Sequence, residues 1–277
     1  MNGVARAKRS LGQNFLIDPN IQRKIVEAAD PGADDVIVEI GPGTGALTRL
    51  LAELAGRLVC IELDDSLVDR LREAYGANDR VEILHRDALT IDLRDIAEPG
   101  TIKVVGNIPY NITSPLLFHL LARDTRPADI VLMVQREVAD RIVAAAGTAA
   151  YGALSVGVQS VAAVERLFTV GRHAFRPLPK VDSTVLRITP FRPPPLTSRQ
   201  ELDLRSLTRA AFAWRRKQLQ KTLRTAPDYG LDAPAIAAIE RETDLDLSAR
   251  PETLSPAQLD RLARTLRLRG LPASIDA

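Results

Sequence analysis

The residues best suited to chemistry are Asn107, Ile108 and Tyr110, in the stretch Gly106-Asn107-Ile108-Pro109-Tyr110. They follow the apolar run Ile102-Lys103-Val104-Val105, which has the length and β-branched composition of a strand. Pro109 cannot continue a ladder, so the strand is predicted to end here and the chain to turn. An amide, a fixed backbone carbonyl and an aromatic ring then stand together at a strand's C-terminal end. That edge is where open α/β sheets bind ligands. The set suits an exocyclic ring amine, whose lone pair is delocalised into the ring and is a poor nucleophile. The Asn107 side-chain oxygen and the Ile108 carbonyl would each accept one amine hydrogen and turn the lone pair out of the ring plane. Tyr110 offers a face on which the base stacks. Catalysis of this kind is positioning and electrostatics, with no strong general base needed before attack.

Such a stretch needs a sheet to hold it, and the flanking pattern supplies one. Short apolar runs recur at Val36–Ile40, Leu58–Ile61, Val81–Leu84, Ile102–Val105 and Asp129–Val134. Helical patterns lie between them, as at Ser66–Tyr75 and Ser114–Ala122. Strands alternating with helices indicate a mainly parallel sheet. Asp18-Pro19 reads as a helix start, with Ile21, Ile25, Val26 and Ala29 at helical spacing. Arg136–Ala146 and Ala153–Ala162 read as further helices. Arg166–Val170 and Thr184–Ile188 read as late strands, an antiparallel pair at the sheet edge. A proline-stiffened loop carrying Phe175 separates them.

The first strand runs directly into Gly41-Pro42-Gly43-Thr44-Gly45 and then a helix. Strand, glycine turn and helix form the cofactor-binding unit of doubly wound folds. Alone the turn is ambiguous. Gly41-x-Gly43-x-x-Ala46 satisfies a dinucleotide fingerprint, and Glu62 lies near the distance of a ribose-binding acid. A nicotinamide or flavin enzyme therefore stays open at this point. The denser spacing Glu39-x-Gly41-x-Gly43-x-Gly45 looks more like the S-adenosylmethionine turn of class I methyltransferases. Glu62 suits ribose hydroxyls, because a carboxylate can accept two hydrogen bonds from a diol. Asp87, just past the third strand, is placed to accept from an adenine amino group. The two cofactor readings part at the fourth strand end, where a dehydrogenase has no evident use for Asn-Ile-Pro-Tyr.

Past the proline-rich Pro190–Pro195 linker the pattern becomes helical only. We expect a catalytic domain over residues 1–192 and a small helical domain over 198–277. Leu202 to Arg224 has apolar spacing on one side, and Ala233–Arg241 and Pro256–Leu268 complete the unit. From Arg205 to Arg224 there are seven basic residues and no acidic ones, including Arg215, Arg216, Lys217 and Lys221. Basic groups on one helical domain fit phosphate contacts, and Phe212 and Trp214 lie among them.

Composition removes several other classes. The formal net charge of +2 by itself says little about partners. A single cysteine, Cys60, rules out an internal disulfide and a cysteine-based zinc site. The three histidines are far apart with no metal-ligand spacing, so no metal is expected. No apolar run approaches membrane-spanning length, and the basic start lacks a signal peptide's apolar segment. The expectation is a soluble, cytoplasmic monomer.

The Asn107–Tyr110 tetrad resembles the (Asn/Asp)-Pro-Pro-Tyr motif of amino-group methyltransferases, with Ile108 in place of the first proline. With Asn-Ile-Pro-Tyr-Asn-Ile it is similar to the ribosomal RNA adenine N6-dimethyltransferases, which include the KsgA (RsmA) and Erm types. Gln13–Leu16, Glu39–Gly45, Glu62–Asp64, Gln135–Ala139 and Pro179–Ser183 resemble that family in order. Ser114–Leu120, Tyr151–Val156 and Ala211-Phe212-x-x-Arg215-Arg216-Lys217-x-Leu219 look like the KsgA side. The resemblance implies a class I, Rossmann-like methyltransferase sheet with a small all-helical C-terminal domain. It implies S-adenosylmethionine contacts at Asn14, Leu16, Gly41, Gly43, Glu62, Asp87 and Asn107. It implies base contacts at Asn107, Ile108 and Tyr110, with Phe175 as a second stacking ring. The implied substrate is two adjacent adenosines in the 3′-terminal hairpin loop of small-subunit (16S) rRNA. Each would receive two methyl groups during subunit biogenesis. Three alternatives stand beside this. They are an Erm-type methylation of 23S rRNA, a mainly RNA-binding assembly factor, and DNA adenine methylation, which the basic helical domain disfavours.

Overall fold

A seven-stranded sheet carries the site, its strands in the spatial order Val81–His85, Arg57–Glu62, Val36–Ile40, Ile102–Asn107, Asp129–Gln135, Ser183–Pro190 and Ala162–Val170, with the change of winding direction at Val36–Ile40. The structure, a computed structural model, describes residue 8 and residues 12–109, 112–214 and 216–271. In chain order the elements begin with β1 (Phe15–Leu16), α1 (Pro19–Ala29), β2 (Val36–Ile40) and α2 (Thr48–Leu54). Next come β3 (Arg57–Glu62), α3 (Asp65–Tyr75), β4 (Val81–His85), β5 (Ile102–Asn107) and α4 (Thr113–Leu120). Then follow β6 (Asp129–Gln135), α5 (Arg136–Val143), α6 (Ala153–Gln159) and β7 (Ala162–Val170). The chain continues with β8 (Phe175–Arg176), β9 (Ser183–Pro190), α7 (Ser198–Ala213), α8 (Leu219–Thr225), α9 (Ala233–Thr243) and α10 (Pro256–Leu268).

The five strands read from apolar runs all form. Strands β4, β3, β2, β5 and β6 pair in parallel, and β9 joins β6 antiparallel. Apart from the edge strand β4, their side chains are buried on both faces, which is why they read as nearly continuous apolar runs. Helix α1 starts where Asp18-Pro19 predicts. The Asp18 carboxylate accepts from Asn20 and Ile21 N–H, and Pro19 occupies the first turn. It buries Ile25, Val26 and Ala29. Strand β7 starts four residues before Arg166, because Ala162–Glu165 extends the edge strand beside β9.

Two compact units emerge. One comprises Met1–Ala139 and Ala163–Pro190, and the other Asp140–Ala162 and Phe191–Ala277. A cut at residue 192 therefore misplaces 140–162, which belongs with the C-terminal helices. Tyr151 is the reason. Its ring meets Phe212 edge-on at 6.0 Å, and its hydroxyl donates to Leu254 O at 2.9 Å. The stretch 202–224 is also not one helix. Helix α7 ends at Ala213 and α8 starts only at Leu219, where Leu219 and Gln220 N–H turn to Ala249 and Leu247 carbonyls. Helices α7 and α10 each start on a capping box, Thr197 with Gln200 and Ser255 with Gln258. Among the described residues, no helix is long and apolar enough to cross a membrane. No group of three or more His, Cys, Asp and Glu residues is placed to hold a metal among them.

Candidate active site

Parallel pairing sets the site. Ile40, the last residue of β2, lies opposite Gly106 in β5. The glycine turn and Asn107 consequently leave the sheet side by side at the switch point, where such folds bind ligands. One cleft there is lined by Asn14, Leu16, Gly41, Gly43, Glu62, Asp87, Asn107 and Ile108, joined by Phe15, Arg86 and Pro109. Every cofactor residue expected from the resemblance borders this cleft.

The turn has the backbone that its glycines allow. Gly41 has φ +67° and Gly43 φ +59°, both in the left-handed region. A Cβ on Gly43 would stand 3.2 Å from the Phe15 ring, so the arm packs directly on the turn. Three of the turn's N–H groups are engaged inside the protein. Gly41 donates to Ile61 O, Gly45 to Pro42 O, and Gly43 to the Glu62 carboxylate at 3.1 Å. These three donors do not form a cradle for a pyrophosphate, which is what a dinucleotide would require. The ionisable residues at the cleft wall are Glu39, Glu62 and Asp87 against Arg86.

Glu62 is held more tightly than a free loop acid. Its other oxygen accepts Leu63 and Asp64 N–H at 2.9 and 3.0 Å. A carboxylate offers about four acceptor sites, so three are occupied. One further hydroxyl can be accepted as it stands, and a diol's second bond would have to share with or displace Gly43 N–H. Asp87 uses Oδ1 to accept Leu89 N–H at 2.9 Å. Glu39 is buried and accepts from Thr48 Oγ1 at 2.7 Å and from the Cys60 thiol at 3.6 Å. Burial pushes its carboxyl up to about 7, against the pull of those two donors.

Asn107 is the pivotal side chain. Its Nδ2 donates to the Asn14 carbonyl at 3.0 Å, which commits that end of the amide and leaves Oδ1 as the accepting end. Ile108 is buried, and its N–H donates to Met133 O at 3.1 Å, anchoring the backbone beyond the strand. Pro109 O then accepts from Ile112 N–H at 3.2 Å, and α4 follows. Tyr110 lies outside the described residues.

Phe175 is not a wall of this cleft. It is 2% exposed and belongs to the core cluster that includes Leu16, Ile25 and Met133. The two-residue pairing of β8 with β1, Leu16 opposite Phe175, puts it there. In the second unit, Arg216, Lys217 and Lys221 are all exposed. Lys217 Nζ lies 4.1 Å over the Trp214 ring, and Trp214 is 53% exposed. Arg215 lies outside the described residues.

Phe15 and Asp64 lie in stretches that resemble the family, but neither has a role of its own assigned from sequence. Asp64 is 2% exposed, caps α3 through Ser66 N–H, and accepts from Lys8 Nζ at 2.7 Å and Gln13 Nε2 at 3.0 Å. Burial works against its charge, yet the bonds from Lys8, Ser66 and Gln13 hold its carboxyl well below the usual range. The signal available in sequence was the adjacency of Asp64 to Glu62. Its partners lie 51 and 56 residues away.

Known proteins match this arrangement over nearly its whole length. A family model described as ribosomal RNA adenine dimethylase matches residues 4–259. Ribosomal RNA small subunit methyltransferase A of Enterococcus faecalis is 42% identical over 94% of this chain and 90% of its own length. The protein of that name from Geobacter metallireducens is 42% identical over 96% of this chain and 97% of its own. Among solved structures, a dimethyladenosine transferase from Plasmodium falciparum superposes with TM-score 0.79 at 26% identity, covering 93% of this chain and 98% of that one. The 23S rRNA methyltransferase ErmE superposes with TM-score 0.67 at 28% identity, covering 91% of this chain and 99% of that one. The sheet is accordingly the class I methyltransferase sheet, and the chain belongs to the ribosomal RNA adenine dimethylase family.

Proposed function

We propose that this protein uses S-adenosylmethionine to dimethylate the N6 amino groups of two adjacent adenosines in the 3′-terminal hairpin loop of 16S rRNA. The observation that carries the reading is the committed amide of Asn107 at the mouth of the glycine-turn cleft. With Nδ2 held by Asn14, the side chain presents an acceptor, and an acceptor is what an adenine amino group needs. When bound, S-adenosylmethionine supplies a methyl group on a positively charged sulfur. The cleft residues fit that ligand, since Glu62 and Asp87 outnumber Arg86 at the wall and three of the turn's donors are already engaged.

The chain's own residues would divide the work as follows. Glu62 accepts a ribose hydroxyl with its remaining capacity, and Asp87 accepts from the adenine amino group with its second oxygen. Asn107 Oδ1 and the Ile108 carbonyl accept the target amine's hydrogens, with Pro109 stiffening the backbone between them and the helix that follows. Tyr110 carries the base by stacking. Each contact places or polarises the acceptor, and the product ammonium is acidic enough to release its proton to water. An unpaired loop favours this, because its bases enter a pocket at little unstacking cost. Arg215, Arg216, Lys217 and Lys221 would bind the RNA backbone.

Mass spectrometry of rRNA from a deletion strain and its complemented parent tests the reading. Dimethyladenosine lost from small-subunit rRNA on deletion, and regained on complementation, supports it. Loss from large-subunit rRNA instead would assign the Erm-type activity. An unchanged modification profile would leave an RNA-binding assembly factor.

A further inference from the structure

The cleft is closed on one side by the arm Gly12–Leu16, and the arm is tied at two points. At one, Asn14 O receives the Asn107 amide at 3.0 Å. At the other, Gln13 Nε2 donates to Asp64 Oδ2 at 3.0 Å, while Gln13 Oε1 receives Lys8 N–H at 2.7 Å. Asp64 is itself fixed. Its Oδ1 accepts Ser66 N–H, Ser66 Oγ and Lys8 Nζ, and its own N–H donates to Glu62 Oε1. Glu62 in turn receives Gly43 N–H. A chain of bonds therefore runs around the cleft from Asn107 through the arm to Asp64, Glu62 and the glycine turn. Adjacent arm residues carry its two critical contacts, so a shift of Gln13 moves the Asn14 carbonyl that orients Asn107.

We infer that Gln13 and Asp64 are positioning residues that latch the arm and thereby set the orientation of the Asn107 amide. This rests on the methyltransferase reading for its consequence and on the geometry alone for the coupling. The latch joins the cofactor side of the cleft to the base side. Without it, Asn107 keeps its place at the end of β5 but loses the carbonyl that distinguishes its donor end from its acceptor end.

Polarity inversion tests the latch. Gln13→Glu sets two carboxylates face to face and should release the arm. Adding Asp64→Asn restores a donor and an acceptor in reversed order. Asn remains a good helix N-cap, and the carboxylate introduced by Gln13→Glu keeps an oxygen for Lys8 N–H. The readout is the 15N resonance of the Asn107 side-chain amide in the full chain, assigned by its disappearance in Asn107→Asp. In Gln13→Glu the resonance should shift and its exchange with solvent should quicken about tenfold or more. The double variant should return both toward wild type. Gln13→Ala, which removes both Gln13 side-chain bonds without adding charge, should move the resonance in the same direction. A resonance unmoved in Gln13→Glu and Gln13→Ala, or not recovered in the double variant, overturns the inference.

The second readout is methyl transfer to an unpaired adenosine-containing RNA at saturating cofactor. A kcat that falls about tenfold in Gln13→Glu and recovers in the double variant supports the latch. A raised cofactor KM with unchanged kcat overturns it, since the arm would then only hold the cofactor. Absence of transfer by the wild-type protein would bring down the functional reading alone, and the Asn107 resonance would still decide the latch.

Discussion

The carbonyl oxygen of Ile40 lies 2.7 Å from where a Cβ on residue 106 would stand, and Ile108 Cδ1 is equally close. The two strand ends that carry the glycine turn and Asn107 thus approach at backbone distance, and only glycine at 106 permits it. Gly106→Ala would have to push β2 and β5 apart where both leave the sheet. The expected cost is about 1–3 kcal/mol in urea unfolding, the usual range for overpacking a core. Methyl transfer should fall by more than the stability loss explains, because Asn107 is the next residue. Wild-type stability and rate together would show that the sheet end absorbs the methyl group freely.

Removing the acceptor should separate chemistry from binding. Asn107→Ala deletes both the oxygen offered to the amine and the bond to Asn14 O. A fall of about 100-fold or more in single-turnover methyl transfer is expected, the scale seen when one preorganised polar contact is lost. RNA affinity, measured by filter binding, should stay within about twofold. Wild-type rates would refute the amine-orienting role.

What the chain disclosed in sequence follows contact range. The parallel strands, the glycine turn and the start of α1 are visible because each depends on neighbouring residues: apolar runs, Gly41 and Gly43 after a strand, Asp18 before Pro19. Asn107 was legible because a strand and a proline bracket it. The placement of Phe175 was not, since its burial depends on Leu16 across a two-residue pairing. Helix α6 looks like part of the sheet domain until Tyr151 is seen against Phe212 and Leu254, 61 and 103 residues downstream. Glu62 shows a further limit. Its type announced a hydroxyl acceptor, but three backbone donors already held in the fold had no local signature.

Stability should depend on pH through Glu39. Its carboxyl is raised from the ordinary 4.5 to about 7 by burial. The folded chain therefore holds a proton that the unfolded chain has released between those values, so stability falls as pH rises through that window and levels off above it. Glu39→Gln keeps an oxygen for the Thr48 hydroxyl and cannot ionise. The mutant should gain on wild type as pH rises from 5 to 8, by a few kcal/mol at most. Urea unfolding at matched pH values measures this. A stability difference that does not change over that range would show that Glu39 ionises freely in the fold.

The exposed basic residues Arg216 and Lys217, after α7, and Lys221, in the first turn of α8, should set the salt dependence of RNA binding. Arg216, Lys217 and Lys221 are exposed, and Lys217 rests on the Trp214 face, where a base could stack in its place. Replacing all three with Ala should weaken binding and reduce the slope of log K against log salt by about 2, close to 0.7 for each lost phosphate contact. Arg264, paired with Asp260 at 2.8 Å on α10, serves as the control, and Arg264→Ala should leave the slope unchanged. Trp214→Ala should weaken binding without altering the slope, because stacking releases no counterions. A triple variant with the wild-type slope would place the phosphate contacts elsewhere on the protein.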